Sequence, residues 1–191
     1  MKNYTIEELK KRYKELGFTW LHFNIIGIRA KVHVPDKFQD NIYIVWNDSL
    51  YCFTATTIPG VHWLQAPMNK DGTAVVKADM QYINSHMLGL HKGKKALIQV
   101  NSLWVYRDND QDNLAECIGE PVLAPYSCRI DIHGTGPSIV SVLIGAWSAA
   151  CQVMNNPTEY AKFIELCEKY IEKTFTYTLL NEFDDVASTI T

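Results

Sequence analysis

The stretch Arg129–Met154, RIDIHGTGPSIVSVLIGAWSAACQVM, decides how the chain is read. Cys128–His133 is predicted to be a strand that delivers His133 at its end, and Gly134-Thr135-Gly136-Pro137 then force a turn. Cys151 stands 18 residues beyond His133, in Ser148-Ala149-Ala150-Cys151. Cysteine attacks as its thiolate and needs a group to take its proton, a task that histidine, ordinarily titrating near neutrality, suits. A tight turn before the cysteine would aim backbone N–H groups at a developing oxyanion. Cys151 and His133 are therefore the candidate catalytic pair. Cys151 is expected to be a low-pKa thiol, with Gly134, Ser148 and Ala150 supporting the loop and the oxyanion. The plainer reading makes Cys151 a small buried hydrophobe and has His133 bond a carbonyl at a strand end. Odd positions of one strand share a face, which groups Arg129, Asp131 and His133. Asp131 then either orients His133 or pairs with Arg129.

Outward from this segment the texture is mostly β. Upstream, Thr5 and Glu8 form a capping box ahead of Ile6, Leu9, Tyr13 and Leu16, and Gly17 stops the helix. Strands are expected at Asn24–Arg29, Asn41–Trp46, Leu50–Thr54, Ala74–Val76, Leu97–Val100 and Leu103–Tyr106. Asn47-Asp48-Ser49 reads as one hairpin tip and Asn101-Ser102 as another. Ser138–Ala146 is apolar and fits either a short buried helix or an irregular connection. Downstream, Asn156 and Pro157 open a helix whose stripe is Tyr160, Phe163, Ile164, Cys167, Tyr170 and Ile171. Alternating Phe175, Tyr177 and Leu179 indicate a last strand. The reading is an N-terminal helix (1–20) appended to a single catalytic-type domain (21–180), with a tail (181–191).

The 191 residues are 47% hydrophobic and 20% charged, an ordinary globular balance. Eighteen Lys+Arg against 21 Asp+Glu give −3, which argues against a nucleic-acid partner. No run of about 18 apolar residues offers a membrane span. Five cysteines, at 52, 117, 128, 151 and 167, are odd in number and lack a C-x-x-C pair, so a complete disulfide framework and a zinc ribbon are both excluded. No metal-ligand set and no cofactor is expected. Asp108–Asn113 opens like a calcium loop, but Asn113 and Gly119 stand where its glycine and glutamate belong. His91, in a glycine-flanked turn, and Trp147 are candidates for the substrate cleft. Their plainer readings are surface exposure for His91 and core for Trp147.

Ile132-His133-Gly134-Thr135, the turn at Pro137-Ser138 and Ser148-x-x-Cys151 together resemble the signature of the L,D-transpeptidase catalytic domain. The likeness is specific over Arg129–Val153, and Thr54–Gly60 (TATTIPG) is similar to a turn that family places upstream. It implies a mostly β (α+β), small β-sandwich or barrel-like domain with a helix after the active-site cysteine. It also implies Cys151 as nucleophile, His133 as base, oxyanion N–H groups around Ala150 and Cys151, and peptidoglycan peptide stems as substrate. Ala149 and Ala150 replace the family's histidine and glycine, and alanine is poor where φ must be positive. Gln152-Val153 replaces an apolar–arginine pair, which leaves Gln152 beside the nucleophile and Arg129 as the substitute for binding a substrate carboxylate. The acyl-thioester is resolved by water in a peptidase or by an amine in a transpeptidase. The lack of a visible signal peptide favours cytoplasmic synthesis and a phage-type peptidoglycan-cleaving member. The other class is a catalytically silent phage structural or cell-wall-binding module on the same scaffold. Oligomeric state is not encoded in any motif.

Overall fold

The computed structural model describes residues 2–184. Helix α1 (Ile6–Leu16) has the predicted cap: the Thr5 hydroxyl accepts from the Glu8 amide, the Glu8 carboxylate accepts from the Thr5 amide, and Gly17 ends the helix at φ 71. Leu9 and Tyr13 face inward, and with Tyr4 they pack on Ile26, Ile28, Tyr43, Val45 and Leu180. The segment read as an appendage therefore covers a wall of the domain. Glu182, read as tail, accepts from the backbone amides of Lys2 and Lys31. The rest of that tail, 185–191, lies outside the described residues.

The wall belongs to a closed barrel. Its strands are β1 (Phe23–Arg29), β2 (Asp40–Trp46), β3 (Ser49–Thr56), β5 (Met80–His91), β6 (Lys94–Gln99), β9 (Ile132–Gly134), β10 (Gln152–Met154) and β11 (Thr174–Asn181). They close in the order β1-β11-β5-β6-β9-β10-β3-β2. The closed order gives every barrel strand a neighbour on both sides. Three more strands, β4 (Thr73–Val76), β7 (Leu103–Asp108) and β8 (Val122–Ala124), make a separate sheet in the order β4-β7-β8. With α1, α2 (Val61–Gln65) and α3 (Pro157–Lys169), the described residues are mostly β with three helices. None of these helices is long and apolar enough to cross a membrane.

Strand β1 is buried on both faces because alternate residues serve two cores: Phe23 and Ile25 point to the barrel interior, Ile26 and Ile28 to α1. The interior is completed by Ile42, Ile44, Phe53, Leu97, Phe175, Tyr177 and Leu179, and by Phe163 and Cys167 of α3. Cys167 is thus the small core hydrophobe expected of it. The α3 stripe ends early, since the helix stops at Lys169 and Ile171 is 94% exposed.

The β2–β3 hairpin turns at Asn47 and Asp48, both at positive φ, as predicted. Asn101-Ser102 is no hairpin. Strand β6 pairs with β5 and β9 in the barrel, β7 with β4 and β8, and Val100 and Asn101 donate to the Ser85 carbonyl as the chain changes sheets. The predicted Cys128–His133 strand is also corrected. Tyr126–Cys128 is a 3-10 turn, Arg129 is left-handed at φ 54, and only Ile132–Gly134 pairs as strand. Ser138–Ala146 is an irregular connection, with Ile139, Val140, Val142 and Leu143 exposed.

Gly27 in β1 has a packing reason. A Cβ there would lie 2.1 Å from the Tyr177 hydroxyl oxygen. That hydroxyl donates to Gln152 Oε1 at 2.8 Å, and Gln152 Nε2 donates to the Ala150 carbonyl at 3.0 Å, so the contact reaches the loop before Cys151. Gly27→Ala is expected to cost about 1–3 kcal/mol through overpacking, read as a lower urea midpoint. An unchanged midpoint would mean that Tyr177 yields freely.

Candidate active site

Two three-residue strands place the pair. β9 and β10 run parallel with Val153 opposite His133, and Cys151 immediately precedes β10. Both side chains are buried, His133 at 5% and Cys151 at 9% exposure. His133 Nδ1 lies 2.9 Å from the Gly134 carbonyl, which can only accept, so Nδ1 carries the proton and Nε2 keeps a bare lone pair. His133 Nε2 is buried without a hydrogen-bond partner. A ring nitrogen of His133, one of His91 and Cys151 Sγ all lie within 4.8 Å of one another. Cys151 Sγ itself donates to the Arg129 carbonyl at 3.4 Å.

His91 is at the cleft and not simply a surface residue. Its ring stacks on His133 with centroids 4.1 Å apart and planes 12° off parallel, and its Nδ1 lies 2.8 Å from Asp131 Oδ2. Asp131, fully buried, also accepts from Arg129 (2.8 and 3.3 Å) and from the Gln99 amide (2.9 Å). Asp131 therefore holds His91, whereas Gly134 holds His133, so of the two alternatives for Asp131 the structure shows the pairing with Arg129 and not the orientation of His133. The pairing of Arg129 with Asp131 comes from its left-handed turn rather than from a shared strand face. Arg129 also donates to the Leu90 carbonyl at 3.1 Å.

The loop before the nucleophile is braced from two sides. Ser148 Oγ donates to the Cys151 carbonyl at 2.7 Å, and the Ser148 carbonyl accepts from Gly60 of the TATTIPG turn at 2.9 Å. Ala149 and Ala150 are absent from the positive-φ positions, so the loop is built without the left-handed residue that alanine would resist. Gln152, a candidate for substrate contact, is instead buried as a strut between Ala150 and Tyr177. Trp147 is 41% exposed and lies on the cleft, not in the core. Two cavities meet here. One, of about 530 Å³, is lined by His133, Gly134, Pro137 and Tyr160; the other, of about 470 Å³, by Trp63, Arg107, Arg129, Ala150 and Cys151. His91, Lys92 and Trp147 line both and form the partition.

Burial sets the protonation states. It pushes the Cys151 thiol up to about 12 and His133 down to about 4, so the resting pair is neutral thiol and neutral imidazole. That direction runs against the low-pKa thiol expected of Cys151. Burial also works to raise the Asp131 carboxyl, but hydrogen bonds from His91, Arg129 and the Gln99 amide outweigh it and hold the group low. The sequence suggested no metal ligands, yet two imidazoles and a thiol converge here. What sequence reasoning missed is the Asp131–His91 contact, because it joins residues 40 positions apart, one at the end of β5 and the other just before β9.

His86 is buried as well, bonded to Ser85 Oγ (2.8 Å) and the Ile130 carbonyl (3.0 Å), and burial lowers it to about 4. A histidine whose folded pKa lies below its unfolded value stabilises the fold above the unfolded value and loses that contribution as pH falls through the folded one. Unfolding free energy should therefore decline between about pH 6.5 and pH 4, by up to ~3 kcal/mol for each of His86 and His133. Urea midpoints measured across this range should fall less steeply in His86→Gln, and an identical slope would remove His86 from the account. No protein-family model, curated protein or solved structure matches the chain, so the chemistry of the site follows from its own atoms.

Proposed function

We propose that the chain is a cysteine acyl-transfer enzyme of L,D-transpeptidase type that acts on the peptide stems of peptidoglycan. The observation that carries this reading is the unpartnered, buried lone pair of His133 Nε2, in a ring with a nitrogen within 4.8 Å of Cys151 Sγ. A structural histidine of this burial would be expected to satisfy both nitrogens, as His86 does.

From a neutral pair, proton transfer and attack must go together. Cys151 Sγ adds to the amide carbonyl carbon while its proton passes to His133 Nε2. The oxyanion is met by backbone N–H groups of Ala150 and Cys151, which border the same cavity as the thiol. The imidazolium, steadied through Nδ1 by the Gly134 carbonyl, returns its proton to the leaving amine as the C–N bond breaks. The thioester left on Cys151 is resolved by water or by a second amine. The acyl half of the substrate occupies the cavity that exposes Cys151, beside Arg107 and Arg129, and the amine half occupies the cavity beside His133 and Tyr160. Cleavage by water is the preferred outcome, which fits a phage-type wall-degrading protein.

The test is incubation of the reduced protein with muropeptides and an excess of a D-amino acid, followed by mass analysis. Released stem fragments are expected, with turnover lowered at least ~10³-fold in Cys151→Ala and in His133→Ala. Exchange products alone would make the enzyme a transpeptidase. No product of either kind, or product undiminished in Cys151→Ala, would leave a silent wall-binding module.

A further inference from the structure

The proposed reaction uses His133 and Cys151 but leaves His91 without a task, although its ring is stacked on His133 and completes a three-donor cluster. We propose that His91, His133 and Cys151 form a binding site for a borderline-to-soft divalent cation, with Zn²⁺ as the probe, and that the bound ion silences the thiol.

The donor set is the first argument. Two imidazoles and a thiol within 4.8 Å favour zinc-class ions over magnesium or calcium, which take oxygen ligands. The outer contacts are the second. Histidines that ligate metal through one nitrogen almost always donate the other N–H to a carboxylate or carbonyl. Both histidines are arranged so: Asp131 Oδ2 accepts from His91 Nδ1 and the Gly134 carbonyl from His133 Nδ1, which leaves both Nε2 lone pairs free. His133 Nε2 is the third argument, a buried acceptor with no partner in a ring 95% shielded from solvent, as its 5% exposure implies.

Tetrahedral zinc sets N and S donors about 3.3–3.7 Å apart and lies in the plane of each ligating ring, so the cluster has to contract and the stacked rings of His91 and His133 have to tilt apart. His91, with 18% of its side chain exposed, has room to turn toward its neighbours. On binding, the thiol loses its proton to solvent and the thiolate bonds the ion, while the proton-accepting lone pair of His133 is taken as well. The loss of acyl transfer rests on the function proposed above; the binding itself does not.

The reduced full chain is titrated with Co²⁺, and Zn²⁺ is then added as competitor. One Co²⁺ per chain should bind with a thiolate-to-cobalt charge-transfer band, which Zn²⁺ abolishes. The band should vanish in Cys151→Ala and persist when the exposed Cys52, Cys117 and Cys128 are all replaced by serine. Zn²⁺ affinity should fall about 10–100-fold in Asp131→Asn, which loosens the support of His91, and at least as far in His91→Ala. Absence of the band, its survival in Cys151→Ala, or affinity unchanged in His91→Ala would overturn the site. Muropeptide turnover, followed in parallel with and without Zn²⁺, separates the two readings. Cobalt binding by a chain inactive on every muropeptide keeps the site and removes the enzyme, whereas turnover without cobalt binding does the reverse.

Discussion

A carboxylate with no solvent exposure organises this molecule. Asp131 would cost several kcal/mol if buried alone, and its partners are drawn from three separate parts of the chain. His91 comes from the end of β5, Arg129 from the left-handed turn before β9, and the Gln99 amide from the end of β6. Each partner then does further work. The Arg129 carbonyl receives the Cys151 thiol, and His91 stacks on His133. The Gln99 side chain accepts from the Ile130 amide and donates to the Asn101 and Ala124 carbonyls, which ties the barrel to the second sheet. One buried charge thereby fixes both walls of the candidate site and the crossing between the sheets.

Features written in short sequence windows were legible. The capping box of α1, the Asn156-Pro157 start of α3 and the Asn47-Asp48 turn all act within four residues, so local chemistry decides them. Strands β1, β2, β3, β6 and β11 were readable for the same reason, whereas β5 and β10 were not expected and β9 was drawn too long. Pairing was not. Asn101-Ser102 has hairpin chemistry, yet the flanking strands find better partners in different sheets, and only the closed order of the barrel reveals it. Cys128–His133 looked like a strand because β-compatible residues fill it, but Arg129 gives up extended geometry to reach Asp131 and Leu90.

The candidate site divides in the same manner. His133 and Cys151 were picked out by residue type and order. The role of His91 was hidden because its partner Asp131 lies 40 residues away in the segment before β9, and Gln152 was misplaced because adjacency to a cysteine says nothing about which way a side chain turns. Gln152 points inward to Tyr177, and Gly27 leaves the space that Tyr177 fills.

Burial is what unites the two chemistries proposed for this cluster. Desolvation drives Cys151 and His133 toward their neutral forms, so the thiol is quiet until something placed beside it repays the cost of charge. In the proposed acyl transfer a substrate amide would do so by accepting the sulfur's electrons as the proton leaves, which would place activation at the moment of attack and not before it. At the proposed metal site a divalent cation would do so by bonding the thiolate outright. Both events need the same lone pair on His133 Nε2, so they exclude each other at one site. An ion pair formed in advance would open the thiolate to any passing electrophile. A neutral pair in a desolvated cleft responds only to a partner that fits the space between His91, His133 and Cys151.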